Sequence, residues 1–278
     1  MRRRDYAIVS AVSVAAILFA GCGWSQEPVD VVAWNLESGG ASILYISDRM
    51  KSMPGVELWG LSEVKPGWEP LLELAAENAA GPGSDFEAVL GTTGEEDQLL
   101  ILFDARRFSR QSVEELHQLN PKGRVRSPLL VTLLDTRTNQ RFGFMVNHLY
   151  RTDDAQRHLQ AWGLNQWART HPDPLVAVGD YNFDWRVQNG EADHDAGYDL
   201  LTLDGVFAWI RPPALVKTQN SRHDSVVDFA FCTRPERFSH IESGIVQVEG
   251  DFDWANVAEA PDHRPITARV MLKTEEPQ

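Results

Sequence analysis

Two cysteines in 278 residues cannot build a disulfide scaffold, so any stability must come from a buried core. No Pro/Gly/Ser-rich stretch divides the chain, no fixed period recurs and no low-complexity tract appears, which excludes linked small modules, solenoids and disordered arms. Positive charge is scarce. With 26 Lys/Arg against 40 Asp/Glu the formal charge is −14, which argues against a protein that coats nucleic acid by bulk electrostatics. Long apolar runs are also missing, apart from Ala7 to Ala20, which is too short to span a bilayer comfortably.

What is present fits an ordinary globular protein: 43% apolar and 24% charged residues, with nine tryptophans that imply a large, packed interior. The charge is uneven. Ile101 to Gln160 carries ten Lys/Arg against six Asp/Glu, so an acidic chain holds a central basic stretch suited to an anionic substrate. At the amino terminus, Arg2, Arg3 and Arg4 precede the apolar run, which ends in Leu18-Phe19-Ala20-Gly21-Cys22. That ending resembles a bacterial lipobox, with Phe19 where leucine is usual, and implies acylation of Cys22. The expected organisation is a lipoprotein-type signal peptide over 1–21, a short tether over 22–28, one domain over 29–273 and a tail over 274–278. Cys232 would then be a buried free thiol.

Apolar runs at Val29–Trp34, Glu57–Leu61, Phe86–Leu90, Leu99–Phe103, Leu129–Leu134, Arg141–Asn147, Leu175–Val178, Val206–Ile210, Val226–Cys232, Gly244–Val248 and Ile266–Leu272 read as strands. Helical spacing appears near Ile43–Met50, Trp68–Asn78 and Asp153–Arg169, the last with Thr152 or Asp153 as its cap. The polar loop Asp135–Gln140 between two strands predicts an antiparallel hairpin, which speaks against a purely parallel sheet. Many strands with few helices and no linker predict one α/β domain.

Several segments set oxygen- or nitrogen-bearing side chains at the ends of strands. They are VVAWNLES (Asn35, Glu37), LWGLSEVK (Glu63, Lys65), MVNHLYR (Asn147, His148, Arg151), VAVGDYNFD (Asp180, Asn182) and APDHRPI (Asp262, His263). A sixth, DSVVDFAF, buries Asp228 among Val, Phe and Ala, where an unpaired carboxylate would cost several kcal/mol. Asp193-His194-Asp195 with Asp199 alternates like a calcium loop, but it lacks the spaced glycine and distal glutamate, so it reads as a solvated loop.

Taken in this order the six segments resemble the signature of the endonuclease/exonuclease/phosphatase superfamily, which includes pancreatic deoxyribonuclease, inositol-polyphosphate phosphatases and bacterial sphingomyelinases. The most specific matches are Trp34-Asn35, Gly179–Asn182 and Asp262-His263. The resemblance implies a four-layered α/β (α+β) sandwich of two packed mixed β-sheets flanked by helices. It also implies a divalent-metal-dependent hydrolase of phosphate esters, either a nuclease or other phosphodiesterase or a phosphatase. Glu63, helped by Asn35 and Asp262, would bind Mg²⁺ or Mn²⁺, since hard ions suit oxygen ligands. Asp180 and Asn182 would orient the attacking water and the scissile phosphate. His263 would be the catalytic histidine, Asp228 its buried partner, and His148 a second histidine donating to a phosphate oxygen.

Two departures stand beside it. Lys65 replaces the arginine that nucleases of this kind often carry, so a point charge takes the place of a bidentate fork. The acid that would support His148 has its nearest counterpart in Asp97. Arg126, in the basic stretch, is a candidate phosphate contact along with Lys65. The expected setting is a monomer anchored through Cys22 at the cell envelope and acting on nucleic acid or on a lipid or inositol phosphate. The competing expectation, an inactive binding lipoprotein of the same fold, requires loss of a metal or acid–base position, and none of these positions is lost.

Overall fold

The structure is a computed structural model that describes residues 27–123, 125–248, 252 and 259–273. The expected signal peptide, Cys22 and the tail at 274–278 lie outside the described residues. Among those residues, no helix is long and apolar enough to cross a membrane.

Among the described residues, twelve strands form two six-stranded sheets. The first takes β1 (Val29–Asn35), β2 (Leu58–Val64), β3 (Phe86–Leu90), β4 (Gln98–Asp104), β11 (Phe238–Ile245) and β12 (Ile266–Leu272), in the order β11-β12-β1-β2-β4-β3. The second takes β5 (Phe108–Glu115), β6 (Leu129–Asp135), β7 (Gln140–His148), β8 (Leu175–Arg186), β9 (Phe207–Trp209) and β10 (Ser225–Thr233), in the order β5-β6-β7-β8-β10-β9. Only β1/β2 and β7/β8 pair in parallel; the remaining pairs are antiparallel, so both sheets are mixed.

Strand alternation explains the layering. Val31 and Ala33 of β1 face the other sheet, with Ile101, Val146, Val178 and Val270, in the core between the sheets. Val32 and Trp34 point the other way and are covered by α1 (Ile43–Lys51) and α2 (Glu69–Ala80) through Ile46, Met50, Leu72 and Ala76. On the second sheet, Met145, Ala177, Tyr181 and Phe229 are covered by α3 (Asp154–Thr170) through Ala161 and Leu164. Central strands are thus apolar on both faces, which is why they read as continuous runs instead of alternating ones. The sandwich of two mixed sheets with helices outside is the architecture the sequence implied.

Some elements differ from the sequence reading. Asp153 does cap α3, accepting from Gln156 N at 3.1 Å. β5 has no counterpart among the apolar runs: after the buried Phe108 its residues are mostly exposed, as on an edge strand, and FSRQSVEE is mostly polar. β11 covers Phe238–Ile245, paired to β12 throughout, and so overlaps the strand expected over Gly244–Val248 only at its end. β8 runs on past Val178 to Arg186, so Asp180 and Asn182 lie inside a strand and not at its end. The Asp193–Asp199 segment is not a wholly solvated loop. Asp195 caps α4 (Ala196–Thr202) and pairs with Arg157 at 2.6 Å and His158 at 3.1 Å.

At the end of the sandwich where β1 begins, Arg107 is 2% exposed. It pairs with Asp135 at 3.0 Å and with Glu57, and donates to the carbonyls of Glu27 at 2.7 Å and Pro28 at 3.1 Å. Burial pushes the Glu57 carboxyl up, and Arg107 opposes that shift. Arg107→Ala would leave the buried Asp135 without its ion-pair partner and the half-buried Glu57 with Arg137 alone, at 3.7 Å. It is expected to cost about 3–5 kcal/mol, read as a lower urea midpoint, because an uncompensated buried charge is far costlier than the loss of the pair itself. A midpoint within error of wild type would show that these carboxylates reach solvent.

Candidate active site

Four strand segments of the two sheets aim their polar side chains into one place. Asn35 ends β1, Glu63 lies near the end of β2, His148 ends β7, and Asp180 sits beside it through the β7/β8 register. Asp228 comes from β10, opposite Asp180 in the antiparallel pair, and Asp262-His263 lies just before β12. Residues 35 to 263 therefore converge.

Asp180 Oδ2 is the hub. It accepts from Asn35 Nδ2 at 3.2 Å and lies 3.5 Å from His148 Nε2 and 3.8 Å from His263 Nε2. Asn35 Nδ2 also reaches Glu63 Oε1 at 3.2 Å, and the same oxygen lies 3.8 Å from His148 Nε2 and from Arg126. His263 Nδ1 meets Asp228 Oδ2 at 2.8 Å, and its carbonyl accepts from Trp34 Nε1 at 2.9 Å. The Trp34-Asn35 pair thus works on both faces of β1: the indole fixes the His263 backbone and the amide enters the pocket. Asn182 Nδ2 donates to Leu149 O at 3.3 Å, and its backbone N–H donates to Asp180 Oδ1 at 3.0 Å, holding that carboxylate in one orientation.

The backbone is bent to reach these positions. Glu37, Glu63 and Asn182 take left-handed φ values of 47°, 55° and 55°. Such residues cost about 1–3 kcal/mol each and persist only where the surroundings fix them. Register shifts at Leu61/Val64 against β4 and at Val226/Asp228 against β8 accompany them, consistent with bulges that re-aim side chains.

Electrostatics separate the two histidines. Burial drives His148 well below the usual imidazole range, and the charges of Arg126 and His263 push the same way, so it is neutral near pH 7. Burial also opposes the charged form of His263, but the Asp228 charge and hydrogen bond outweigh it and hold the imidazole above its ordinary value. Asp180 is pushed up to about 7, by burial first and by repulsion from Asp228 and Glu63, against the pull of His263 and Asn35.

The donor set suits a hard divalent cation. Glu37, whose carboxyl is raised by burial and by Asp262 and Glu63, accepts from Asp262 N at 2.7 Å, so a further acid borders the pocket. Against Glu37, Glu63, Asp180 and Asp262, the permanent cation near Glu63 among the described residues is Arg126, at 3.8 Å. A divalent ion bound by oxygens would relieve that repulsion. Glu63, Asn35 and Asp262, with Glu37 beside them, are the residues that would hold it. The compact group Asp180, Asp228 and His263 is a different thing, because Asp228 spends its oxygen on the His263 ring N–H.

Two expectations change. Lys65 does not join the acids; its ammonium lies over the Trp68 ring, 5.8 Å from the centroid. Asp97 does not support His148, whose Nδ1 is buried without a hydrogen-bond partner among the described residues. Asp97 instead accepts from Ser38 Oγ and from Arg126, which also donates through Nε to Asp97 O at 2.8 Å. The sequence assigns no role to Glu37 or Ser38, although both stand in the WNLES segment. Thr218, whose hydroxyl accepts from the N–H groups of Val227 and Asp228 at 2.9 and 3.2 Å, gave no sequence signal at all.

Similar folds are found among solved structures. A Bacteroides thetaiotaomicron endonuclease/exonuclease/phosphatase family protein matches with TM-score 0.67 and 17% identity over 91% of this chain and 100% of that one. A mannosyl-6-phosphatase from the same organism matches with TM-score 0.63 and 18% identity, covering 87% and 99%. D. rerio TDP2 complexed with a single-strand DNA product matches with TM-score 0.65 and 14% identity, covering 87% and 98%. No family model matches the sequence, and no curated protein matches it. The chain has the endonuclease/exonuclease/phosphatase fold.

Proposed function

We propose that the chain is a divalent-metal-dependent phosphoric ester hydrolase, acting as a monomer held at the cell envelope through lipid on Cys22. The observation that carries the reading is the hub at Asp180, one carboxylate oxygen within 3.8 Å of an amide and two histidines of opposite character. The fold's solved relatives, among them a mannosyl-6-phosphatase and a DNA-bound TDP2, support a phosphate ester as substrate.

Each group has a task that suits its environment. Asp180, oriented by the Asn182 N–H, positions the attacking water and takes its proton; with its carboxyl raised to about 7 it can do both near neutrality. Protonated His263, backed by Asp228, donates through Nε2 to the phosphoryl group, where charge builds in the transition state. Neutral His148 and Arg126 donate to other phosphoryl oxygens. Mg²⁺ or Mn²⁺, when bound, neutralises phosphoryl charge and supports the leaving oxygen.

The test is hydrolysis of a chromogenic phosphodiester and a monoester with Mg²⁺, Mn²⁺ or chelator. Chelation should abolish turnover, and Glu63→Gln should do the same while the fold is kept. Activity that is unaffected by both removes the metal from the reading. Glu37→Gln should retain turnover but need roughly ten- to a hundredfold more metal, the size typical of groups that orient ligands. A readout independent of turnover is the thermal midpoint. Mg²⁺ should raise it more at pH 8 than at pH 5, since Asp180, with its pKa raised to about 7, carries its charge beside Glu63 only at the higher pH, where a neighbouring cation relieves the repulsion.

A further inference from the structure

The chain enters the domain at the pole opposite the site. Arg107 grips the carbonyls of Glu27 and Pro28, and β1 then runs from Val29 directly to Asn35 in the pocket. The partners of Arg107 confirm the polarity. Glu57 precedes β2 and Asp135 ends β6, whereas Glu63 and His148 lie at the other ends of β2 and β7. Seven residues of strand separate the poles, roughly 20 Å, before any rim loop is added.

Resting on the reading that Cys22 carries the lipid, we infer that the site faces away from the leaflet holding the anchor. Its substrates are then water-soluble phosphate esters and not the headgroups of that leaflet. From Cys22 to Glu27 the chain is five residues, which span at most about 18 Å along any path. Placing the pocket on the anchoring leaflet would lift Glu27 at least about 20 Å above it, with the chain leaving away from the membrane and doubling back along the flank. The tether is too short for that. Anchoring therefore raises the enzyme's concentration near the surface without raising the headgroup concentration in its pocket.

Dye placement tests the orientation without using activity. Pro82 is exposed near the Arg107 pole and Pro66 is exposed on the loop after β2 at the site pole, while Cys232 is buried. In vesicles with a headgroup-linked quencher, acylated Pro82→Cys should be quenched several-fold more than acylated Pro66→Cys. Equal or reversed quenching overturns the inference. A second arm uses vesicles containing phosphatidylinositol phosphate and sphingomyelin. Acylated enzyme should cleave the lipids of its own vesicle no faster than Cys22→Ser enzyme at equal concentration, and a tenfold advantage of the anchored form overturns it. Mass analysis of the Cys22 peptide and hydrolysis of a soluble phosphodiester read the premises separately. An unacylated Cys22 or an inactive enzyme sinks those premises, while reversed quenching with both intact sinks the orientation alone.

Discussion

Asp228→Asn is expected to lower kcat by roughly 10²–10⁴-fold with little change in KM, the range for a positioned acid–base group. Asp228 Oδ2 sits 2.8 Å from His263 Nδ1, so it keeps that nitrogen protonated and aims Nε2 towards Asp180, 3.8 Å away. An asparagine of the same shape can present its NH₂ to Nδ1 and move the ring proton to the wrong nitrogen. It also removes the charge that holds His263 above its ordinary value against burial. The sign follows. With the wild-type pKa raised, the cationic imidazole survives to alkaline pH; once the charge is gone, burial wins and the proton is lost at lower pH. The alkaline limb of the kcat profile should therefore move down in pH, by an amount that His263→Ala, having no limb of its own, cannot show. An unchanged kcat, or an alkaline limb that stays in place, removes His263 from the chemistry.

The same residues show why part of the site was legible before the fold was known. Asp228 within SVVDFAF and Asp180 after LVAVG are polar groups in apolar runs, and a buried carboxylate needs a partner. The apolar runs themselves located most strands, because β1, β2, β6 and β12 are covered on one or both faces. What escaped lay where that signal fails. β5 is a polar edge strand, and β11 pairs only with β12 at the sheet's margin. The Ser38–Asp97–Arg126 chain joins three loops 59 and 29 residues apart, and no local pattern encodes such a meeting. The resemblance sets Lys65 toward the phosphate, where nucleases of this kind often carry arginine. The left-handed φ of Glu63 redirects the following chain, and Lys65 lies on Trp68.

Gly179→Ala is expected to destabilise the fold by about 3 kcal/mol or more, and to damage the site further than its stability loss alone would. Gly179 takes φ +134°, which a side chain rarely adopts, and a Cβ there would lie 2.0 Å from Asn147 O. The obstacle is backbone, and it belongs to the neighbouring strand: Asn147 pairs with Gly179 and His148 with Asp180 in the parallel β7/β8 ladder. Relief requires pushing β7 from β8 in the middle of the second sheet, where Val146 and Val178 are packed against the first. That movement would widen the 3.5 Å spacing between His148 and Asp180 in whatever fraction still folds. Gly55→Ala separates the two causes. Its φ of +80° carries a backbone penalty, but nothing lies within 4 Å of the added methyl, so about 1 kcal/mol is expected. Urea midpoints for the two variants, with kcat measured on the folded fraction, decide the matter. If Gly179→Ala matches Gly55→Ala in both stability and turnover, the close approach of β7 and β8 does not set the geometry of the pocket.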